Sequence, residues 1–271
     1  MYNIIVTEPS SNLRMLGRQA LAGKWQVAII AALIYQICLT LPALILDQLF
    51  GKTLAELYDN IYVGTTNTFG SDFVAYVSNS AEKVSSMSGL YVFLVTGAFT
   101  LGTTLFFLNL FRRKPTDPAQ VFSGFEQFFK ALGLFFVMSV FIFLWSLLLI
   151  VPGIIATLRY SQAFFILADD PTKGVFQCIN ESKWMMRGNK GSLFWLELSF
   201  IGWILLTNIA VMILHGFLFP IFGGGVIMVI LDWIFSLAIC WVIAYIFATE
   251  AAFYEILRGN LRANTYAPGQ Y

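Results

Sequence analysis

The sequence predicts an all-α fold, a polytopic bundle of membrane-spanning helices, on three observations. Only 11% of the 271 residues are charged and 58% are hydrophobic, whereas a soluble domain carries about 25% charge. The apolar runs reach the ~20 residues that cross a bilayer. They are continuous rather than alternating, which argues against a transmembrane barrel.

Six spans are expected near residues 25–46, 89–111, 131–151, 153–168, 193–214 and 226–254, within one membrane domain covering 1–271. The first exceeds the 7–15 apolar residues of a signal-peptide core, and no small-x-small cleavage site follows it, so it reads as a retained span. Pro152-Gly153 is expected to turn the chain between the third and fourth spans. The fourth then has about 24 Å of helix, which leaves both a full crossing and a re-entrant hairpin open. "HGFLFPIFGGG" reads as a turn between the last two spans, with Pro220 and three glycines as breakers.

Orientation follows from the loops. Thirteen of the sixteen Lys and Arg residues fall on one side: Arg14, Arg18 and Lys24; Arg112, Arg113, Lys114 and Lys130; Lys173, Lys183, Arg187 and Lys190; Arg258 and Arg262. The 47–88 loop carries only Lys52 and Lys83 against Asp47, Glu56, Asp59, Asp72 and Glu82. Basic loops stay inside, so both termini are expected in the cytoplasm. The acidic loop then lies outside, as a ligand-binding cap or a simple connection; "TLAELYDNI" and "SDFVAYVSNSAEKV" within it have weak helical spacing.

Three spans follow amphipathic stretches. "SSNLRMLGRQALAGKW" sets Leu13, Leu16, Ala20 and Leu21 apart from Arg14, Arg18 and Lys24. "DPAQVFSGFEQFFKAL" sets Val121, Phe122, Phe125, Phe128 and Phe129 against Glu126, Gln127 and Lys130. "TKGVFQCINESKWMMRGNK" sets Val175, Phe176, Ile179, Met185 and Met186 against Glu181, Lys183 and Arg187. Each can lie on the cytoplasmic membrane surface with its basic side toward anionic headgroups. A glycine and then a lysine close the first and third. The pattern reads either as a threefold unit of interfacial helix plus two spans or as ordinary amphipathic flanks.

Charges inside spans are costly and face the bundle interior. Four stand out: Arg159, Glu197, Asp232 and Glu250. Asp232 and Glu250 are five turns apart, about 27 Å along one face. Asp232 also begins a series of small residues spaced by four, Ser236, Cys240, Ala244, Ala248 and Ala252, of the kind that lets helices approach closely. Three readings of Arg159 stand: a pair with Asp232 at matching depth, a charge presented to an anionic ligand such as a lipid phosphate, or a side chain reaching the interface. Glu197 and Glu250 either meet inner-side basic residues or form an acidic proton- or cation-coupling site.

Several chemistries have no support. His215 is the only histidine, which removes a His-built zinc site and His-dependent triads. Cys38, Cys178 and Cys240 form no CxxC and suggest no disulfide framework. No GxxxxGK[ST], HExxH or GxSxG occurs. A net charge of +1 gives no field for nucleic acid. No cofactor or metal is expected, and no enzymatic activity.

"LRMLGRQALAGKWQVAI", "VPGIIATLRYSQAFFILADDP" and "SKWMMRGNKGSLFWLELSFIGW" resemble a family of uncharacterised bacterial integral membrane proteins catalogued as a domain of unknown function. The shared pattern is Pro-Gly-Ile-Ile, Arg-Tyr-Ser, Ala-Asp-x-Pro, Gly-Asn-Lys and Leu-Ser-Phe-Ile-Gly-Trp, and the similarity runs through most of the chain outside 47–88. More distantly, the layout is similar to the membrane domain beside some glycerophosphodiesterases, without their catalytic domain. The resemblance implies a multi-pass protein of the bacterial plasma membrane and supplies no catalytic residue. The expected function is non-enzymatic binding or translocation of an amphipathic or lipid-like molecule. The alternative is an accessory or self-protection protein acting through a membrane partner or a membrane-active peptide. Membrane lipids are the expected partners, with another membrane protein or a second copy as further options.

Overall fold

The computed structural model describes residues 4–51, 85–222 and 226–261, leaving aside the side chains of His215, Phe219, Phe222 and 226–238. Among the described residues there is no strand. The helices in chain order are α1 (Ser10–Leu21), α2 (Trp25–Phe50), α3 (Ser86–Phe111), a 3-10 helix (Pro118–Gln127), α4 (Phe128–Leu148), α5 (Ile150–Tyr160), α6 (Ala163–Asp169), α7 (Val175–Met185), α8 (Lys190–Phe222) and α9 (Val226–Leu257). Six helical segments are long and apolar enough to cross a membrane. The stretches "TLAELYDNI" and "SDFVAYVSNSAEKV", and with them the question of a cap, lie outside the described residues.

The chain divides into two compact units, Gln36–Thr96 and the rest. In the smaller, the Asp47 carboxylate accepts from the Ser85 N–H at 2.6 Å and the Ser88 hydroxyl at 2.5 Å. The Tyr91 hydroxyl donates to the Cys38 carbonyl at 2.5 Å. These bonds give the buried polar groups of two apolar helices their partners, as a water-poor setting requires.

The larger unit is organised around the second half of α9. Cys240, Ala244, Ala248 and Ala252 are fully buried there, as are Phe253 and Tyr254. The small side chains let neighbours come close. α1 crosses α9 with Gly17 against Thr249, where a Cβ would stand 3.0 Å from the Thr249 Cα. On the other flank the Phe107 ring of α3 stacks on Phe247 at 5.4 Å, and Phe165 of α6 stacks on Tyr254 at 5.4 Å. By contrast, α4 shows an apolar flank, with Phe143 65% and Leu147 74% exposed, as suits a helix long and apolar enough to cross a membrane.

All three amphipathic stretches are helical. In α1 the buried residues are Leu13, Leu16, Gly17 and Leu21, so Gly17 joins the expected face. In α7 they are Cys178, Ile179, Ser182 and Met185, while Phe176 is exposed. The second stretch is a 3-10 helix started by Pro118 and capped by the Asp117 carboxylate, which accepts from the Ala119 N–H at 2.9 Å. The 3-10 helix buries Val121 and Gly124 and leaves Phe122 and Phe125 exposed, as is Phe129 in the first turn of α4. The reason is backbone contact: Gly124 sits against Ala98, and Gly102 against Val121, with no room for a side chain. Glycines with positive φ follow α1 and α7, Gly23 at 75° and Gly188 at 82°, conformations that favour glycine and end a helix.

Two turns differ from expectation. The chain breaks at Leu149, in extended conformation, rather than at Pro152-Gly153. Pro152 falls in the first turn of α5, where its missing N–H costs nothing. Pro220 lies inside α8, which continues to Phe222. The fourth apolar segment runs from Ile150 to Asp169, with a two-residue interruption between α5 and α6 at Ser161–Gln162.

Candidate functional site

The most connected polar assembly gathers where α3, α6 and α9 end and α7 passes. Asp169, the last residue of α6, is its hub. One carboxylate oxygen accepts from Arg112 Nη1 at 2.6 Å. The other accepts from Arg258 Nη2 at 2.6 Å and the Tyr254 hydroxyl at 3.1 Å. Arg112 also reaches Glu255 at 2.6 Å, and Glu255 accepts from Asn260 at 2.6 Å. Arg258 continues to Glu181 at 3.3 Å, and Glu181 to Lys173 at 2.7 Å. Three cations and three anions thus alternate along one chain of bonds.

Asp169 and Glu255 side chains are only 12% and 5% exposed, so unpaired charges there would be costly. Burial pulls Arg112 toward losing its proton, but the bonds to Asp169 and Glu255 outweigh it and hold the group above its ordinary value. The same balance holds for Arg258, where burial is outweighed by Tyr254, Asp169 and Glu181. Asp170, next to the hub, is held below the usual carboxylate range by two bonds from Thr172.

Beside the network opens a cavity of about 490 Å³. Leu16 and Ala20 of α1, Phe111 and Leu261 give it apolar wall; Arg112 and Glu255 give it a charged one. A smaller cavity, about 290 Å³, lies between Arg14 and Arg18 of α1 and the rings of Trp203 and Tyr245. The Tyr245 hydroxyl donates to the Arg14 carbonyl at 3.0 Å, and the Arg18 guanidinium stands 5.9 Å from the Tyr245 ring.

Apart from Arg112, every charged member of the network (Asp169, Lys173, Glu181, Glu255 and Arg258) sits in the second half of the chain, as does Tyr254. Residues 147–261 match the DUF975 family, described as a protein of unknown function. The DUF975 segment therefore holds α5 to α9 and all the anions of the network, while Arg112 comes from outside it. The match covers less than half of the chain, so it does not include the "LRMLGRQALAGKWQVAI" stretch. No curated protein and no solved structure matches the chain.

The expected site residues are distributed as follows. Arg159 lies in the last turn of α5, ten residues beyond the Leu149 break rather than six beyond a Pro-Gly turn. Its carbonyl accepts from the Ser182 hydroxyl at 3.0 Å. The side chains of Asp232 and Ser236 lie outside the described residues, and with them the Arg159–Asp232 pair. Glu250 on α9 stands within electrostatic reach of both Glu197 on α8 and Tyr35 on α2, and Tyr35 bonds Thr100 of α3. Cys240, Ala244, Ala248 and Ala252 are buried within the protein itself. Among the described residues no group of three or more His, Cys, Asp or Glu is placed to hold a metal.

Sequence reasoning missed the Asp169 hub. A signal was present: "ADDP" and "FYEILRGN" place acids at helix ends where the loops are otherwise basic. Ending the last span at 254 left Glu255 outside it, whereas α9 runs one turn further and buries that carboxylate.

Proposed function

We propose that the protein binds an amphipathic, lipid-like molecule from the bilayer and moves or presents it within the bacterial envelope, without chemical turnover. The observation that carries this reading is the cavity of about 490 Å³, whose lining joins apolar side chains such as Leu16 and Phe111 to charged ones such as Arg112 and Glu255. Its size falls among ligand pockets, and its lining matches a molecule with a tail and a head. The thirteen basic residues expected on one side favour a cytoplasmic position for this cavity, since Arg112 and Arg113 belong to that set. Both termini are then cytoplasmic, in a bacterial plasma membrane.

An accessory or self-protection role would need a seat for a partner helix, for which the small-residue stripe is the natural candidate. Four of those residues are covered by the protein's own helices, so the stripe offers a partner no open face there.

Native mass spectrometry of the purified full-length protein tests the reading. Wild type is expected to retain lipid through mild delipidation, and Ala20→Trp, which fills the cavity, to lose it with melting unchanged. Equal retention in both proteins, or none in either, would overturn it.

A further inference from the structure

One pair of cations has no place in the alternating network. The Ser182 hydroxyl ties α7 to the Arg159 carbonyl of α5 at 3.0 Å, which sets the next residue, Lys183, beside the end of α5. The Lys183 ammonium stands 5.6 Å from the Phe141 ring of α4 and 5.6 Å from the Tyr160 ring. Burial and then the Arg159 charge shift Lys183 below its ordinary value, so the two cations feel each other. Among the described residues neither has a carboxylate partner; Lys183 has a 3.4 Å bond to the Asn180 side-chain oxygen.

Their position sharpens the question. Phe141 lies 13 residues into α4 and Arg159 ten residues beyond Leu149, about 20 Å and 15 Å along the helices at 1.5 Å per residue. Arg159 therefore lies within an apolar segment, and Lys183 of the amphipathic α7 meets it there beside the Phe141 and Tyr160 rings. The negative end of the α5 dipole favours one cation there. It does not account for two.

We propose that Arg159 and Lys183 form a site for a phosphate group, with Phe141 and Tyr160 against the apolar part of the molecule that carries it. Arg159 supplies a planar fork and Lys183 a point charge, a combination suited to a tetrahedral oxyanion. A bound phosphate removes the repulsion between the cations and gives both their missing partner. The inference rests on the reading that the protein takes a lipid-like molecule, but neither cation lines the cavity beside Arg112, so it names a second site, one for an anionic phosphate head group.

The test uses full-length protein in detergent, with phosphatidylglycerol, phosphatidylethanolamine and inorganic phosphate as separate probes in native mass spectrometry. Wild type is expected to prefer phosphatidylglycerol over phosphatidylethanolamine about tenfold. Lys183→Gln and Arg159→Gln each abolish the preference, and Lys183→Arg restores most of it. Saturable inorganic phosphate binding that is lost in Lys183→Gln supports the same site with a soluble source. Unchanged preference in Lys183→Gln overturns the proposal, and does so even where Arg159→Gln fails to fold. An Asp232→Asn variant that melts far lower while the double Arg159→Gln/Asp232→Asn recovers also overturns it, because Arg159 then has a carboxylate partner. Ala20→Trp separates the two readings: loss of all lipid there, with Lys183→Gln indistinguishable from wild type, sinks this inference alone.

Discussion

Two groups of cations in this protein are treated in opposite ways. Around Asp169, each of Arg112, Arg258 and Lys173 meets a carboxylate within 3.3 Å. Around Lys183, one cation meets two aromatic rings and the charge of a second, Arg159. The first group joins helix ends and holds charge the protein has already matched. The second holds charge that is matched by nothing described. Counting positive residues, as a topology argument does, gives both groups the same weight. Their partners separate a fastening from a receptor.

Mutations can break that contrast. The largest effect is expected from Asp169→Ala, which leaves two arginines and a tyrosine hydroxyl without their shared acceptor. Removing one partner of a buried pair costs about 3–5 kcal/mol, read as a large drop in melting temperature in detergent; a drop of a degree or two would show that the network holds little. Gly17→Val comes next. It forces α1 away from Thr249, an overpacking worth about 1–3 kcal/mol, while the ion pairs persist. Unaltered melting would mean that α1 is not held against α9.

Glu181→Gln is milder, about 1 kcal/mol, since Arg258 keeps Asp169 when Glu181 is lost. Lys183→Gln should change lipid-free stability by less than about 0.5 kcal/mol, or raise it, because it ends a repulsion. A loss comparable to Asp169→Ala would erase the contrast. The smallest effect is chemical. Burial pushes the Cys178 thiol up to about 11, so at pH 8 it carries roughly a hundredfold less thiolate than an ordinary cysteine. Maleimide labelling should be slow until the protein is denatured; fast labelling would place α7 away from the packing described.

The membrane helices and their number were legible because apolar runs of bilayer length need no tertiary information. The small-residue series was legible for the same reason, being a spacing along one helix. Breaks were harder. Pro152-Gly153 signals a turn by composition, but a proline serves equally well in a first helical turn, and Leu149, with no turn signature, is where the backbone bends. The polar assemblies were least legible. Asp169, Glu255 and Arg112 are scattered over 143 positions between the farthest two, and nothing local marks Glu255 as buried. Lys183 read as an ordinary surface charge because its ring neighbours, Phe141 and Tyr160, come from other helices.

The docking of α1 sets a timetable for making the protein. Its partner residues lie near the other end of the chain: Tyr245 and Arg14 are 231 positions apart, and Val6 is held by Asn189 across 183. At 5–20 residues per second of synthesis, roughly 10–50 s pass between the appearance of α1 and of the helix that receives it. Leu13, Leu16 and Leu21 need shelter in that interval, and the membrane surface supplies it to an amphipathic helix bearing Arg14 and Arg18. On this schedule α1 begins as a peripheral helix waiting on the bilayer and ends with its apolar face packed, so a helix made much later completes its seat.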